Sequence, residues 1–336
     1  MLSVFKRTIA GLLAAVMVCG TAVSCGGFIF EDEGDCSVSY RVRFRYDWNI
    51  KFADAFAHEV RRVTLYVLDE DGGIVLTKTE SGDNLAAEGY SMEIDVPAGK
   101  YELIAWCDAG EYRSWASENK EARREDLVRT LDTKRQDNGS AYTDGRLDDI
   151  YYGHLSEADF TADEGEVTVT MPLMKDTNNN FRVVLQHLSG KPVDKDKFDF
   201  FITDDNGKMD WDNSLQPCDS ITYRAWSVSS GSAEVGASEE TFGVALAELT
   251  TGRLVTGHRP RLSIRNRETG AIVISVPLID YALLIKGHYN EGISDQEYLD
   301  RQDEYNMVFF LDKNENWVNT YIYINSWKVV LQNTDL

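Results

Sequence analysis

A two-residue alternation of apolar and polar side chains recurs along most of this chain, and it constrains the fold more than any other feature. Between Val38 and Tyr46 every second residue is apolar, and serine or arginine occupies the positions between them. Successive side chains of a β-strand point to opposite faces, so this segment is predicted to be a half-buried strand. Val60–Leu68 shows the same pattern and leads through an acidic Gly-Gly turn into Ile74–Thr79, which predicts a β-hairpin.

Three further features describe the first half of the chain. Tyr90–Val96 and Tyr101–Cys107 flank a Pro-Gly turn, and we expect them to form a second pair of strands. Residues 111–145 are charged and polar, so we expect a long surface excursion with one short helix around Ser117–Leu127. Val167–Leu173 is predicted to be the last strand of this half.

The second half begins after a polar junction at residues 176–180 and contains eight segments with strand patterns. These are Phe181–Leu188, Phe198–Thr203, Ile221–Trp226, Thr241–Leu249, Arg261–Asn266, Ala271–Pro277, Asn306–Leu311 and Tyr321–Leu331. Many short strands separated by turn residues are typical of a β-sandwich. We therefore predict an all-β protein with two tandem antiparallel β-sandwich domains, residues 37–176 and 177–336. Short helices are expected at one edge, within Tyr281–Lys286 and Glu291–Asp303.

The N-terminus has the layout of a secretory signal peptide. Lys6 and Arg7 precede an apolar run, Ile9–Val18, and a segment of small residues that ends at Cys25. Lipoprotein processing requires a cysteine directly after the cut, so we predict that residues 1–24 are removed and that Cys25 is lipidated. Residues 25–36 would then form a flexible, acidic tether. The alternative is a secreted protein with a free cysteine near its start.

The chain is strongly acidic, with 56 Asp and Glu residues against 34 Lys and Arg residues and a formal charge of −22. Removal of residues 1–24 would take away Lys6 and Arg7 and no acidic residue, which changes the formal charge to −24. A surface of this charge repels nucleic acids and anionic lipids, which argues against both as partners. Attachment to a membrane is expected through the lipid on Cys25.

Three cysteines remain for the folded protein: Cys36, Cys107 and Cys218. An odd number in an oxidising compartment allows at most one internal disulfide. We predict the pair Cys36–Cys107, since both residues lie at the ends of predicted strands in the same half of the chain. The alternative is three buried free thiols.

The sequence contains no motif that is typical of an enzyme. It has no phosphate-binding loop, no nucleophile elbow, no metalloprotease helix and no paired-cysteine zinc spacing. Its five histidines are isolated, and acid pairs are poor evidence for a glycosidase in a chain this acidic. We therefore predict a protein that is not an enzyme and that needs no cofactor.

One loop resembles a calcium-binding loop in part. Asp204, Asp205, Asn206 and Gly207 are followed by two further aspartates, Asp210 and Asp212. The loop lacks the closing glutamate of an EF-hand, and Asn-Gly is also common in hairpin turns. We therefore predict no metal site.

Several segments, taken in order along the chain, carry a family resemblance. They are residues 28–36 (FIFEDEGDC), Ala53–Val60, Leu103–Cys107, residues 177–190 (TNNNFRVVLQHLSG) and Tyr321–Leu331. In this order they resemble the FimB-like anchor lipoproteins of Bacteroidales type V fimbriae, and the likeness covers nearly the whole chain. None of these segments is a catalytic motif.

The resemblance implies two transthyretin-like β-sandwiches, a lipid on Cys25, a place in the outer membrane and a role in holding the base of a fimbrial filament. It also implies that acidic residues after the lipidated cysteine, here Glu31, Asp32 and Glu33, direct the protein to the cell surface. The expected partner is a stalk fimbrillin, so that cell adhesion would depend on this protein indirectly.

The resemblance further implies assembly by strand exchange, in which a strand of one subunit completes the sandwich of the next. In fimbrillins of this type a protease removes the first strand after an Arg or Lys. Here Arg41, Arg43 and Arg45 lie within the first predicted strand. The pair Arg61-Arg62 opens the next one, so we predict that the first strand is kept.

The final strand is the candidate to engage the neighbouring subunit. Its predicted contact residues are Tyr321, Tyr323, Trp327, Val329 and Leu331. An ordinary closing strand of the second sandwich is the alternative.

A different class of function, a surface glycan-binding lipoprotein, is the second hypothesis. Four tryptophans would offer stacking surfaces for sugars if they were exposed, although tryptophans of β-sandwiches lie more often in the core. They are Trp48, Trp115, Trp211 and Trp226.

Overall fold

The computed structural model describes residues 38–110, 114–117, 120–234, 241–288, 291–319 and 321–330. The first half contains β1 (Val38–Trp48), β2 (Arg62–Leu68), β3 (Ile74–Ser81), β4 (Met92–Ile94), β5 (Gly99–Asp108), β6 (Trp115–Ala116), β7 (Arg129–Leu131), β8 (Lys134–Arg135), β9 (Ala141–Thr143), β10 (Ile150–Phe160) and β11 (Gly165–Lys175). A one-turn helix, α1 (Phe56–Glu59), follows β1, and 3-10 turns lie at Asp83–Ala86 and Arg124–Asp126.

The second half contains β12 (Thr177–His187), β13 (Phe198–Asp204), β14 (Lys208–Met209), β15 (Ile221–Arg224), β16 (Ser227–Glu234), β17 (Thr241–Gly252), β18 (Arg261–Asn266), β19 (Ile272–Pro277), β20 (Glu304–Leu311), β21 (Tyr321–Ile324) and β22 (Trp327–Val330). Two helices, α2 (Leu278–Leu283) and α3 (Asp295–Arg301), lie between β19 and β20, and 3-10 turns lie at Lys195–Lys197 and Lys286–His288. The two helices fall close to the segments where the sequence predicts them.

Seven strands of the first half form one sheet in the order β3-β2-β5-β10-β11-β1-β4. Its apolar face forms a single core, to which Val42 of β1, Leu65 of β2 and Met92 of β4 all contribute. Aromatic rings also meet in this core, where the ring centres of Tyr40 and Phe160 lie 5.1 Å apart. Because strands from both ends of the sheet pack into one core, the sheet folds over on itself as a sandwich.

Two six-stranded sheets form the second sandwich, in the orders β16-β17-β12-β20-β21-β22 and β19-β18-β13-β15-β9-β8. Phe181 and Phe309 of the one sheet and Tyr223 and Ile264 of the other are fully buried in a shared core. The prediction of an all-β protein built from sandwiches is therefore confirmed. The sheets are mixed rather than purely antiparallel, because β1–β11, β12–β20 and β9–β15 are parallel pairs.

The prediction of a surface excursion at residues 111–145 is wrong. β8 and β9 extend a sheet of the second sandwich, through the parallel pairing of β9 with β15. β6 and β7 form a small sheet with β14. Leu127, Val128 and Leu131 of this polar stretch are buried. The expected helix is only the 3-10 turn Arg124–Asp126. Because the first half supplies strands to the second sandwich, the domain boundary at residue 176 stays a prediction.

The predicted pairing of Tyr90–Val96 with Tyr101–Cys107 is also wrong. β4 pairs with β1, whereas β5 lies between β2 and β10. All residues of Leu103–Cys107 are buried, so β5 is covered on both faces. A strand with two buried faces belongs at the centre of a sheet and not in an edge hairpin.

The second buried face of β5 joins the two halves of the molecule. Ile104 and Trp106 on this face share an apolar cluster with Tyr66 of β2, Leu127 and Met209 of β14. Met209 comes from the second half of the chain. The core of the interface between the halves is therefore apolar and continuous with the first sheet.

Candidate assembly surface

The described part of the predicted final strand, residues 321–330, forms a hairpin, so the prediction of a single strand there is wrong. β21 and β22 pair in antiparallel register, with Ile324 opposite Trp327. The turn residues Asn325 and Ser326 have φ values of 46° and 71°. Two-residue hairpin turns with positive φ at both positions match the twist of the strands that they join.

β22 is the outermost strand of its sheet within the described residues. β21 is held against β20, and its Ile322 and Ile324 are fully buried. On β22, by contrast, Trp327 is 43% exposed and Val330 is 66% exposed. An outer strand with exposed apolar side chains is a template for pairing with a strand of another chain.

The residues predicted for partner contact divide between the two strands of this hairpin. Tyr323 lies on β21, and its ring centre lies 5.9 Å from that of Phe310. Trp327 and Val329 lie on β22, where Val329 packs half-buried against the core. The side chain of Tyr321 and the whole of Leu331 lie outside the described residues.

The predicted lipidation site Cys25 and the predicted disulfide partner Cys36 also lie outside the described residues. Cys107 is a buried free thiol, and burial raises its pKa well above the usual range. It lies opposite Tyr151, near the end of the sheet that carries Trp48. Val38, two residues after Cys36, lies at the other end of β1, on the order of 30 Å away along the strand. The Cys36–Cys107 bond stays a prediction, because Cys36 is not among the described residues, and the second free thiol is Cys218.

β1 lies inside the first sheet, between β11 and β4. Val42 and Phe44 are buried in the core, so removal of this strand would expose both to water. The nearby dibasic pair is held in place: Arg61 donates to the main-chain oxygen of His58 at 2.8 Å, and Arg62 lies 2.8 Å from the carboxylate of Asp108. This geometry favours a first strand that stays in the molecule.

A family model described as fimbrillin-A associated anchor proteins Mfa1 and Mfa2 matches residues 32–333. The chain belongs to this family. The resemblance found in the sequence is therefore confirmed, and the match includes both sandwiches and the terminal hairpin. The Mfa2 family consists of fimbrial anchor proteins and is not an enzyme family. Membership in the family links this chain to fimbriae at the cell envelope.

Solved structures share the Mfa2-family fold over most of the chain. A candidate adhesin from Bacteroides thetaiotaomicron is 35% identical with a TM-score of 0.77, over 90% of this chain and 100% of that one. A candidate polysaccharide-binding protein from the same organism is 29% identical with a TM-score of 0.75, over 88% and 99%. The fimbrial anchor protein Mfa2 from Porphyromonas gingivalis shares the fold at 18% identity and a TM-score of 0.64, over 88% and 99%. No curated protein in the comparison is similar enough to count as a match.

The described helices of this Mfa2-family chain are short. None of them, within the residues that the structure covers, has both the length and the apolar character needed to cross a membrane.

Three histidines of the Mfa2-family chain lie in separate places. His154 Nε2 lies 2.9 Å from the carboxylate of Glu102, and His187 Nδ1 lies 3.1 Å from the main-chain oxygen of Asp312. His258 Nδ1 lies 2.8 Å from Oδ1 of Asp205. The first two of these contacts are structural, because each ties a ring to a neighbouring strand or loop.

His258 belongs to a cluster that the sequence does not reveal. Ligand atoms of Asp204, Asp205 and His258 all lie within 4.8 Å of one another. Burial raises the pKa of Asp204 to about 7, whereas the hydrogen bond with His258 holds the pKa of Asp205 below its usual range. No spacing rule connects His258 with the two aspartates, since only the folding of two separate loops brings them together.

The other aspartates of the loop that partly resembles a calcium-binding loop point elsewhere. The Asp210 carboxylate accepts a hydrogen bond from the main-chain N–H of Trp211, and that of Asp212 accepts one from Ser214. These are ordinary turn contacts. The loop therefore does not gather its acids around one point as an EF-hand does.

Three of the four tryptophans are packed against protein. Trp115 and Trp211 lie beside the cluster between the halves, and the guanidinium of Arg301 stacks on Trp48 at 4.0 Å. Trp226 differs, because it is 37% exposed and lines an open cleft of about 350 Å³. Polar residues of the same cleft include Arg182, Glu248 and Asn306.

A network of buried charges lies where the two halves of the chain meet. Lys175 at the end of β11 places its Nζ 2.7 Å from Oδ2 of Asp303. The next residue, Asp176, is buried with an oxygen 3.8 Å from Nε of Arg253. Arg253 in turn forms two hydrogen bonds to the carboxylate of Asp300, at 2.8 and 2.9 Å. Residues from both halves thus depend on one another for charge compensation.

The protonation of this network follows from its burial. Burial lowers the pKa of Lys175, but the carboxylates of Asp303 and Asp149 outweigh it and raise the pKa above the usual range. Burial raises the pKa of Asp176 to about 7, against the opposing effect of Arg253. Lys175 is therefore firmly charged, whereas Asp176 changes its charge near neutral pH.

Proposed function

We propose that this protein is a lipid-anchored protein of the outer membrane that holds the base of a fimbrium and faces the cell surface. The match of the fimbrial anchor family to residues 32–333 supports this proposal. Cys25 lies seven residues before the matched region. A lipid with two or more acyl chains on Cys25 would attach the folded part stably to the membrane.

We further propose that the terminal hairpin pairs with a stalk fimbrillin. Backbone hydrogen bonds along an added strand supply affinity, and alternate side chains supply specificity. Trp327 and Val330 would give the partner strand apolar surface to cover. The first strand is expected to stay in place, because a terminal anchor does not need a groove opened by its removal.

The anchor proposal is tested by Cys25→Ala in the native host. We expect fimbriae to be found detached in the medium, with total fimbrillin unchanged, since the filament would lose its attachment and not its subunits. Cys218→Ala is the matched control, because it removes a thiol that has no role in the lipid anchor. Normal, attached fimbriae on the Cys25→Ala cells would contradict the proposal.

The strand-pairing proposal is tested by a lysine on the outer strand. Val330→Lys places a charge where a partner strand would pack, a device by which natural proteins block edge pairing. We expect at least a tenfold loss of stalk fimbrillin recovered with the anchor. Val75→Lys is the control, because Val75 is also exposed on an outermost strand, β3 of the first sheet. Equal recovery with both variants would rule out the hairpin as the contact.

A second candidate function, glycan binding, is supported by the cleft beside Trp226. An exposed aromatic ring next to charged and amide side chains is suited to a sugar ring, with its apolar face on the aromatic and its hydroxyls on polar groups. The relative at 29% identity is described as a candidate polysaccharide-binding protein.

The glycan-binding function is tested by measuring binding of the chain to immobilised polysaccharides. Binding should fall in Trp226→Ala but not in Phe52→Ala, which removes an exposed aromatic ring elsewhere. No binding by the unchanged chain would exclude it.

A further inference from the structure

Two loops of the second sandwich bring two carboxylates and an imidazole together. Asp204 is the last residue of β13, and Asp205 follows it. His258 lies in the loop after β17, more than fifty residues further along the chain. The nearest ligand atoms of the three side chains lie within 4.8 Å of one another. Such separations are close to those between atoms that bind one metal ion.

Asp204 has an oxygen that the protein does not satisfy. The residue is 6% exposed, and its Oδ1 accepts a hydrogen bond from the main-chain N–H of Asp205 at 2.9 Å. Its Oδ2 is buried and has no hydrogen-bond partner. A buried carboxylate oxygen without a donor is unfavourable, and beside a second carboxylate it needs a proton or a cation.

The loops around the cluster are held rigidly. Asn206 is fully buried, accepts a hydrogen bond from the Tyr223 hydroxyl at 2.6 Å and donates to the main-chain oxygen of Arg253 at 3.0 Å. In the second loop the main-chain N–H of His258 donates to the oxygen of Val255 at 3.1 Å. Binding would therefore require little ordering of the backbone.

Solvent reaches the cluster at Asp205 and His258. His258 lines an open cleft of about 610 Å³, and Asp205 is about half exposed at its side chain. Asp204, by contrast, is buried. A cation entering here would keep water molecules as its remaining ligands, as metal ions with few protein ligands do.

We propose that Asp204, Asp205 and His258 bind a divalent cation of the first transition row. Two carboxylates with one imidazole form a mixed oxygen and nitrogen donor set, which suits Mn²⁺ to Zn²⁺ better than Ca²⁺ or Mg²⁺. The ion would neutralise two adjacent negative charges. It would also fix the start of the loop that carries Met209 and Trp211 to the interface with the first half.

The test uses the full chain, freed of metal with a chelator and dialysed, and titrated with MnCl₂ in a calorimeter. Mn²⁺ is chosen because carboxylate and imidazole suit it whereas thiolates favour softer ions, so that free cysteines do not compete. We expect one site per chain and a rise in the melting temperature of the bound form. Asp204→Asn and His258→Gln should each weaken binding at least tenfold. Asp204→Asn keeps the oxygen that accepts the hydrogen bond from Asp205, so it preserves the fold.

Asp212→Asn is the matched control, because Asp212 lies in the same loop but bonds to Ser214 instead. It should leave the Mn²⁺ affinity within twofold of that of the unchanged chain. Equal Mn²⁺ affinity in the unchanged chain, Asp204→Asn and Asp212→Asn would overturn the proposal. So would Ca²⁺ binding that is tighter than Mn²⁺ binding and insensitive to His258→Gln, since the imidazole would then have no part in the site.

Discussion

At the scale of single residues, buried charges determine how this protein responds to pH. Asp176 is the only residue between β11 and β12, and it is 1% exposed. Its burial raises its pKa to about 7. The folded protein therefore holds this proton up to near-neutral pH, whereas the unfolded chain releases it at about pH 4.

Asp176→Asn should remove a specific part of the pH dependence of stability. Between about pH 4 and pH 7 the folded state binds the Asp176 proton and the unfolded state does not, so the free energy of unfolding falls as pH rises. The difference in the free energy of unfolding, variant minus unchanged protein, should therefore increase by roughly 2–3 kcal/mol from pH 5 to pH 8. Urea unfolding at both pH values measures this difference.

Asp163→Asn, at an exposed carboxylate before β11, is the control for that measurement and should give the same relative stability at both pH values. If Asp176→Asn behaved in the same way as this control, the proton on Asp176 would not be coupled to folding.

Residue patterns predict which side of a strand is buried only where one side faces water. In β1 the alternation is correct, with Tyr40, Val42 and Phe44 buried and Arg43 exposed. In β2, Tyr66 falls on the side that the alternation assigns to solvent, yet it is 2% exposed. Its face is covered by Leu127 and Met209, which come from distant parts of the chain.

At the scale of elements, the turn of the terminal hairpin contains one residue, Ser326, that does not favour the backbone conformation of the turn. Asn325 adopts a positive φ readily. Ser326 has a φ of 71°, and at this angle its Cβ crowds the backbone, which is unfavourable. Asn-Gly is the preferred pair for such a turn. The hairpin is therefore less stable than it would be with a glycine at position 326.

Ser326→Gly should stabilise the hairpin by about 1 kcal/mol, because glycine adopts positive φ without this cost. Hydrogen exchange of the β21 and β22 amides should slow by several fold, while exchange in the first sheet stays unchanged. Ser326→Ala is the matched control and should not slow exchange, since it keeps the Cβ. Equal slowing in both variants would mean that the serine hydroxyl, and not the backbone conformation, limits the hairpin.

At the scale of the whole molecule, the two halves are joined by an apolar cluster and by a charged network. The apolar cluster includes Trp106 from β5 and Met209 from β14. The charged network begins at Lys175, the last residue of β11. Since only Asp176 lies between β11 and β12, the two halves are joined directly through packed side chains.

Lys175→Ala should weaken this junction. The variant loses the buried ammonium that lies 2.7 Å from Asp303 and 3.3 Å from Asp149, which costs about 2 kcal/mol after allowance for the partial exposure of both acids. Urea denaturation should show this loss, with a broader transition as the halves unfold less cooperatively. Lys78→Ala is the control, because Lys78 is more accessible than Lys175 in its pair with Glu80, and it should change stability by less than about 1 kcal/mol. A sharp transition of unchanged midpoint for Lys175→Ala would show that the network does not couple the halves.

The sequence by itself determined the all-β class, most strands of the second half and the family, because alternation and turn residues are local and a family likeness depends on order along the chain. Only the tertiary structure decided the pairing of β5, the hairpin at residues 321–330 and the sheets to which β6, β7, β8 and β9 belong. It alone brought His258 to Asp204 and Asp205. These features depend on which surfaces cover one another, and such contacts join residues that no local pattern connects.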